Sequence, residues 1–308
     1  MNLWIPRFRQ ARPRRLVMIM AVRDEEDILA ENLRYHFARG VDFALVADNG
    51  STDGTREILE DFRREGRLAW VDEPDPGYNQ AIWMSRLALR AREEQGADWL
   101  LCCDADEFWE ARARDLKDFV EEQGAPVLRC ARQNEVRVLP AGGEAPRVFL
   151  AQTYAPVVRS CRWRVNCEDR ARLELSDAAT PGVVFHEEGP KVLARADLVA
   201  RITQGNHDVV ATRWARRGRP GTGRLVIRHF PVRSADQFMA KVRAGGAAYA
   251  RTDLGPKMGW HWRHWYACDQ AGQLAAAYAR ETLVGGDAPP GQRVRVGAAR
   301  TAGAILGL

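Results

Sequence analysis

Apolar runs alternate with amphipathic segments over the first hundred positions of the chain. Strand-like segments cover Leu16 to Val22, Val41 to Ala47, Leu68 to Val71 and the residues around Leu100 to Cys103. Apolar residues between these segments recur at helical spacing, as at Ile58, Leu59 and Phe62. Short apolar runs of this kind are typical of strands buried on both faces. The alternation predicts right-handed βαβ units and an α/β fold, with a mostly parallel sheet flanked by helices.

Acidic clusters follow three of the predicted strands. The first strand runs into Arg23-Asp24-Glu25-Glu26-Asp27, the second into the loop from Asp48 to Asp53, and the last into Asp104-Ala105-Asp106-Glu107. Carboxyl ends of parallel strands meet at one edge of the sheet, where α/β proteins bind ligands. Acidic residues in a first helical turn also favour the helix dipole, which is the structural interpretation of the first cluster. Three such clusters on one edge favour a binding site.

Asp104 and Asp106 are the first candidates for a metal site. On an extended backbone, residues two positions apart point to the same side, so we expect both carboxylates to face one point. Two hard oxygen donors suit Mg²⁺ or Mn²⁺ and leave room for water and a substrate phosphate. A helix cap or a solvated turn is the structural alternative for this pair.

The chain carries a net positive charge, which comes mainly from arginine. The net charge is +5 and the isoelectric point is about 9.0. Nucleic acid, an anionic membrane surface and a phosphate-bearing substrate would each fit this charge, as would arginine-rich solvated faces. The N-terminal segment 1–14 places Trp4, Ile5 and Phe8 among arginines, which suits a membrane interface. No apolar run is long enough to predict a transmembrane helix.

The six cysteines form no CxxC pair, which predicts free thiols in a reducing cytoplasm.

Three motifs together resemble one enzyme family. The segment from Val46 to Thr55, which reads VADNGSTDGT, resembles the DDGSTDGT signature of family 2 glycosyltransferases with the GT-A fold. Asp104-Ala105-Asp106 resembles their DxD motif. Arg23-Asp24-Glu25-Glu26 resembles the K-N-E-E start of the bacterial branch whose DxD reads D-x-D-E-F. The motifs occur in the family's order and at its spacing. Asn49 departs from the second Asp of the signature, and the usual Arg-Asn motif before the DxD is missing.

The resemblance implies a GT-A fold, a nucleotide-sugar donor, most often a UDP-sugar, and a divalent cation. It also implies that the enzyme acts in the cytoplasm and that the transfer inverts the configuration at the anomeric carbon. Mn²⁺ or Mg²⁺ would bind Asp104 and Asp106. Asp48 and Asp53 are expected to accept hydrogen bonds from the base or ribose, as acidic residues do in dinucleotide folds. We expect Arg23, Glu25 and Asp104 to line the donor site together with Asp48 and Asp53.

Basic residues after the last apolar run complete the predicted donor site. Arg233, Lys241 and Arg243 follow closely on one another and are able to offset diphosphate charge. Surface solvation explains these three residues equally well. We include Arg233 in the predicted donor site.

A histidine is the expected third metal ligand. His229 ends an apolar run, as the DxD does, and neutral imidazole suits Mn²⁺. The segment from Ile227 to Phe230 also resembles an HF context in which several GT-A enzymes place a histidine. His207 is the competing candidate, and a structural role is open for either residue.

The catalytic base is sought between the DxD and His229. An inverting transfer needs a group that takes the proton of the acceptor hydroxyl. Asp169, Glu187 and Glu188 are the candidates, and the resemblance favours Asp169 because the family usually draws its base from an acidic pair in this region. The aromatic segment from Trp260 to Tyr266 either stacks on a sugar ring or forms the core of a C-terminal helical part.

These observations divide the chain into a basic segment 1–14, a catalytic GT-A domain 15–232 and a C-terminal helical part 233–308. The predicted function is that of a metal-dependent inverting hexosyltransferase. The acceptor would be a hydroxyl group of a glycan or lipid-linked glycan, and the reaction would belong to the assembly of bacterial cell-envelope polysaccharide. The enzyme would be cytoplasmic, with peripheral contact to the inner face of the membrane. A nucleotidyltransferase on the same sheet edge is one alternative. A non-catalytic basic module that binds nucleic acid or a membrane surface is the other, and we expect no nucleic acid partner.

Overall fold

The first predicted apolar run forms an interior strand of the main sheet. In the computed structural model, β1 (Leu16–Val22) pairs in parallel with β2 (Phe43–Asp48) and β4 (Trp99–Cys102), and β2 pairs in parallel with β3 (Leu68–Asp72). The structure describes residues 14–77, 79–112, 115–142, 145–159, 182–186, 189–220, 224–255, 258–287 and 295–308. The predicted α/β class with a parallel-rich sheet is confirmed.

Helices cover both faces of this sheet. They are α1 (Leu29–Phe37), α2 (Thr55–Arg64) and α3 (Gln80–Glu93). Alternate residues of β1 enter two cores: Met18 and Met20 pack with α1 and α2, whereas Val17 and Ile19 pack with α3. Burial on both faces is why this strand is a continuous apolar run.

The remaining elements extend the main sheet, build a second large sheet and add a separate two-stranded antiparallel sheet. They are β5 (Glu107–Ala111), α4 (Leu116–Glu121), β6 (Val127–Cys130), β7 (Arg132–Leu139), β8 (Thr153–Arg159), β9 (Lys191–Arg195), β10 (Val199–Ile202), β11 (Val209–Ala211), β12 (Arg217–Gly218), β13 (Leu225–His229), α5 (Ala235–Ala250), α6 (Trp260–Gln270), α7 (Leu274–Arg280), β14 (Leu283–Val284), β15 (Arg295–Val296), β16 (Arg300–Thr301) and α8 (Ala302–Leu306). Single turns of 3₁₀ helix lie at Phe149–Ala151, Val183–Phe185, Ala196–Leu198 and Gln204–Asn206. The main sheet has the order β12-β6-β9-β4-β1-β2-β3.

The second sheet carries polar residues to the edge of the first. Its strands lie in the order β15-β8-β7-β13-β5, with β14 beside β7 and β16 beside β8. β13 pairs with β5 so that His229 lies opposite Glu107, and with β7 so that His229 lies opposite Asn134. Because β5 begins directly after Asp106, this register brings His229 to the DxD segment.

The aromatic segment after α5 belongs to a C-terminal hydrophobic core. Trp265 is buried, and its ring lies 5.2 Å from that of Phe238 in an edge-to-face arrangement. Trp260 and Trp262 pack, partly buried, against the same cluster. The core interpretation of this segment is therefore confirmed. Within the described ranges, no helix combines the length and apolar character needed to cross a bilayer.

Glu281 connects this C-terminal core to the rest of the chain. Its carboxylate accepts hydrogen bonds from the backbone N–H groups of Val183 and Val184 at 2.9 and 2.8 Å, and from the Trp265 indole at 3.2 Å. Burial raises the pKa of the Glu281 carboxyl to about 7, although these donors act in the opposite direction. A polar group buried this completely is stable only because each oxygen has a partner.

The raised pKa of Glu281 predicts a pH dependence of stability. The folded state holds the Glu281 proton between the ordinary glutamate value and about pH 7, whereas the unfolded state has released it. The contribution of Glu281 is therefore full at the acidic end of this window and falls by roughly 3 kcal/mol as the pH rises to about 7. We expect the difference in unfolding free energy between wild type and Glu281→Gln to shrink from pH 5 to pH 8 in urea titrations. A difference that grows over this range would contradict the assignment.

Candidate active site

The three acidic clusters meet at the carboxyl edge of the main sheet, as predicted. Val22 lies opposite Asp48 in the β1–β2 register, and Ile19 lies opposite Cys102 in the β1–β4 register. The backbone N–H of Cys103 donates to the carbonyl oxygen of Ile19 at 3.1 Å, which continues the pairing into the DxD segment.

Glu25, Asp106, Arg233 and Lys241 form one ionic cluster at this edge. The Lys241 ammonium lies 2.7 Å from Glu25 Oε1 and 3.1 Å from Asp106 Oδ2. The Arg233 guanidinium, which is fully buried, donates to Glu25 Oε2 at 2.6 Å and to both oxygens of Asp27 at 2.6 and 2.8 Å. The predicted donor-site residues Glu25 and Arg233 are therefore in contact, and Lys241 joins Glu25 to the DxD.

The two shared carboxylates of this cluster differ in pKa. Burial acts to raise the pKa of Asp106, but the charges of Lys241, His229 and Arg233 outweigh it and hold that pKa well below its usual range. For Glu25, burial prevails over Lys241 and Arg233 and raises the pKa. Asp106 is thus the fixed negative charge of the cluster.

Asp104 lies in a second cluster, on the side of β9. Its Oδ2 pairs with the Lys191 ammonium, and its Oδ1 accepts from Gln80 Nε2 at 3.2 Å and Asn206 Nδ2 at 3.0 Å. Glu107 lies beneath Asp104, where it is fully buried between Lys191 at 3.2 Å and Arg132 at 3.1 Å. Burial raises the pKa of Glu107 to about 7, against the effect of both cations.

The backbone between the two clusters is a turn. The N–H of Glu107 donates to the carbonyl oxygen of Asp104 at 3.1 Å, so the segment from Asp104 to Asp106 is not extended. The expectation that both carboxylates face one point from an extended strand is wrong for this reason. Asp104 contacts Lys191, whereas Asp106 contacts Lys241.

His229 lies at Asp106, and His207 lies on the side of Asp104. His229 Nε2 is 3.6 Å from Asp106 Oδ1, while its Nδ1 lies 2.7 Å from Asn134 Oδ1. His207 Nδ1 donates to the carbonyl oxygen of Pro190 at 2.7 Å, since a carbonyl only accepts. Burial, helped by the Lys191 charge, lowers the pKa of His207 to about 4. The structure thus places His229 beside Asp106, whereas His207 lies on the side of Asp104, whose charge acts on its pKa.

The donor set of Asp104, Asp106 and His229 does not fit a divalent ion in this arrangement. Among the residues that the structure describes, no group of three His, Cys, Asp or Glu side chains is arranged to hold a metal. Asp104 already accepts from one ammonium and two amides, and Asp106 Oδ2 from a second ammonium. An ammonium within hydrogen-bond distance takes up part of the lone-pair capacity of a carboxylate and repels a second cation. The expected three-ligand set is therefore not assembled.

The predicted nucleoside-binding residues hold the loop after β2. Asp48 is fully buried, accepts from the hydroxyl group of Ser51, and pairs with Arg56 Nε at 2.6 Å. Asp53 Oδ2 accepts from the backbone N–H of Glu26 at 3.0 Å, which ties this loop to the one after β1. Arg23 is part-exposed and lies 3.8 Å from Asp24. Nucleoside binding by Asp48, Asp53 and Arg23 stays a prediction.

The catalytic base stays a prediction as well. Asp169, Glu187 and Glu188 all lie outside the described residues.

Several polar residues of the site were not singled out from the sequence. Lys191 begins an apolar run, and a charge at the head of a buried strand is a usable signal that a partner exists. Gln80 and Asn206 carry no such signal in the sequence, because glutamine and asparagine are common at protein surfaces. These two residues are buried here only because of the fold. The residues brought in by tertiary contacts are Gln80, Arg132, Asn134, Lys191 and Asn206.

Comparison with known proteins gives neither a matching family model nor a matching curated protein. Among solved structures, the chain is similar to residues 1–349 of S. aureus TarS, with 15% identity over 86% of this chain and 71% of that chain and a TM-score of 0.38. The same fragment in complex with UDP-GlcNAc gives 17% identity over 86% of this chain and 72% of that chain, with a TM-score of 0.34. A mycobacterial protein gives 14% identity over 95% of this chain and 88% of that chain, with a TM-score of 0.35.

Proposed function

We propose that this protein is a glycosyltransferase that moves a sugar from a nucleotide-sugar donor to a hydroxyl group of a glycan or glycolipid acceptor. The observation that carries the proposal is the cluster of Glu25, Asp106, Arg233 and Lys241 at the carboxyl edge of a parallel sheet. Its acidic members come from two of the segments that resemble family 2 glycosyltransferases.

The chemistry of transfer explains why such a cluster is useful. The acceptor oxygen forms a bond to the anomeric carbon, and the bond from that carbon to the diphosphate oxygen breaks with its electron pair on the diphosphate. The acceptor proton passes to a base, for which Asp169 is our first candidate and Glu187 and Glu188 the others. Positive charge beside the leaving diphosphate stabilises the transition state, in which negative charge develops there.

The finer features of the function stay predictions. Inversion at the anomeric carbon, a UDP-sugar as donor and an acceptor in bacterial cell-envelope polysaccharide follow from the resemblance. Cytoplasmic location follows from the resemblance, and peripheral contact with the membrane follows from the basic charge. Segment 1–13 lies outside the described residues, but an exposed tryptophan, Trp214, stands between Arg213 and Arg216 in the described part, which supports a membrane-facing surface.

Thermal unfolding with nucleotides tests the proposal. We expect one of UDP, GDP or dTDP to raise the unfolding temperature, because a ligand that binds the folded state at about 100 times its Kd stabilises it by about 2.7 kcal/mol. The corresponding nucleotide sugar should be hydrolysed slowly in the absence of acceptor. The matched control is the same nucleoside monophosphate with inorganic phosphate, which has both parts of the ligand without the diphosphate linkage. A chain that responds to none of the diphosphates or nucleotide sugars is not a glycosyltransferase of this kind.

A further inference from the structure

The cations of the site lie where the resemblance expects a metal ion to act. Lys191 pairs with Asp104, and Lys241 pairs with Asp106 and Glu25. These ion pairs occupy both carboxylates of the DxD with charges that belong to the chain itself.

The two lysines differ in their freedom to meet a ligand. The side chain of Lys191 is 2% exposed and also contacts buried Glu107, so its charge is committed to the protein interior. The side chain of Lys241 is 25% exposed. Arg233, with an exposed fraction of 0%, is held by Glu25 and Asp27. Among these three cations, Lys241 can therefore turn toward a ligand without breaking the core.

The position of Lys241 suits a diphosphate. It projects from α5 to the sheet edge, where its ammonium lies within 3.1 Å of Asp106. A lysine ammonium is a point charge on a flexible stem and binds phosphate oxygens without fixed geometry. On binding, the anionic diphosphate would take over part of the contact that Glu25 and Asp106 now make.

We propose that Lys241 supplies, from the chain itself, the positive charge that the resemblance assigns to a divalent ion, so that diphosphate binding and sugar transfer proceed without added metal. This inference rests on the proposed glycosyltransferase function. The electron pair left on the diphosphate oxygen is then stabilised by an ammonium group, and Lys191 keeps Asp104 neutralised.

Calorimetry on the full-length protein tests the inference with the nucleoside diphosphate selected in the thermal assay. We expect wild-type Kd values in EDTA and in Mn²⁺ to agree within about twofold, since no metal bridges protein and ligand. Replacement by methionine, Lys241→Met, should weaken binding by about 10- to 100-fold in both buffers, as expected for a lost charged hydrogen bond. Lys241→Arg, which keeps the charge, should recover most of this loss.

Lys117→Met is the matched control. Lys117 is also 25% exposed and lies 2.7 Å from one carboxylate, that of Asp42, which directly precedes β2 at the opposite edge of the sheet. We expect the Kd of the Lys117→Met protein for the nucleoside diphosphate to equal that of the wild type.

The possible failures are distinguishable. Wild-type binding that is lost in EDTA and restored by Mn²⁺ overturns the inference and leaves the glycosyltransferase proposal intact, and this comparison needs no variant to fold. Undiminished affinity of a folded Lys241→Met protein also overturns the inference alone. No binding of any nucleoside diphosphate in either buffer overturns both.

Discussion

Replacement of Arg233 by methionine is expected to lower the free energy of unfolding by about 3–5 kcal/mol, the usual cost of removing one partner from a buried ion pair. The Arg233 side chain is fully buried and joins the loop after β1 to the start of α5 through Glu25 and Asp27. Methionine fills part of the volume but leaves the nearly buried Glu25 with Lys241 as its remaining ionic partner among the contacts described. Urea titration at neutral pH measures the loss.

Two further variants decide whether charge or packing explains that loss. Arg195→Met removes an exposed cation that pairs with Asp197, and we expect a change of no more than about 0.5 kcal/mol. Arg233→Lys keeps the charge but loses the bidentate contact to Asp27, so its stability should lie between those of wild type and Arg233→Met. A loss below about 1 kcal/mol for Arg233→Met would show that the buried cluster does not hold the two segments together.

Asp106→Asn is expected to lower kcat by about 100-fold, the effect of a small misplacement of a catalytic group. Asp106 Oδ2 accepts from the Lys241 ammonium at 3.1 Å and so directs it to the sheet edge. Asparagine keeps the shape of the side chain and removes its charge. Release of nucleoside diphosphate from the nucleotide sugar, followed with saturating acceptor or by slow hydrolysis without one, measures kcat.

The affinity of Asp106→Asn for the nucleoside diphosphate adds a second readout. If Lys241 acts in place of a metal, removal of a negative charge beside the diphosphate should leave Kd within about threefold of wild type or tighten it. If Asp106 were a metal ligand, the substitution would instead lower both kcat and the affinity for the nucleoside diphosphate. Asp197→Asn, at an exposed position, is the control and should change neither quantity. Unchanged kcat in a folded Asp106→Asn protein would remove Asp106 from the reaction.

The N-terminal part of the fold, from β1 to β4, was predictable because its signals are local. Each of β1 to β4 is a short apolar run whose residues alternate between two cores, and the helices between them repeat apolar residues at helical spacing. Burial on both faces leaves few other structures for such a sequence. The meeting of Asp48, Asp104 and the segment after Val22 at one edge then followed from the parallel direction of the strands.

The arrangement within the site was not predictable from spacing. The Asp-x-Asp pattern is compatible with two carboxylates on one side of a strand, but a hydrogen bond between Glu107 and Asp104 closes a turn and directs them to different partners. Asn134 and Lys191 reach the site through strand pairings between segments that are distant along the chain.

The sequence by itself determined the α/β class, the edge of the sheet that carries the acidic residues and the position of His229 at the end of its strand, because apolar periodicity and strand polarity act over a few residues. Tertiary structure alone decided which charge each carboxylate meets: Lys191 comes to Asp104 from 87 residues away and Lys241 to Asp106 from 135. Such contacts depend on how β9 and α5 pack against the sheet. Since charges act through space and not along the chain, the electrostatics of the site could be read only after the fold was known.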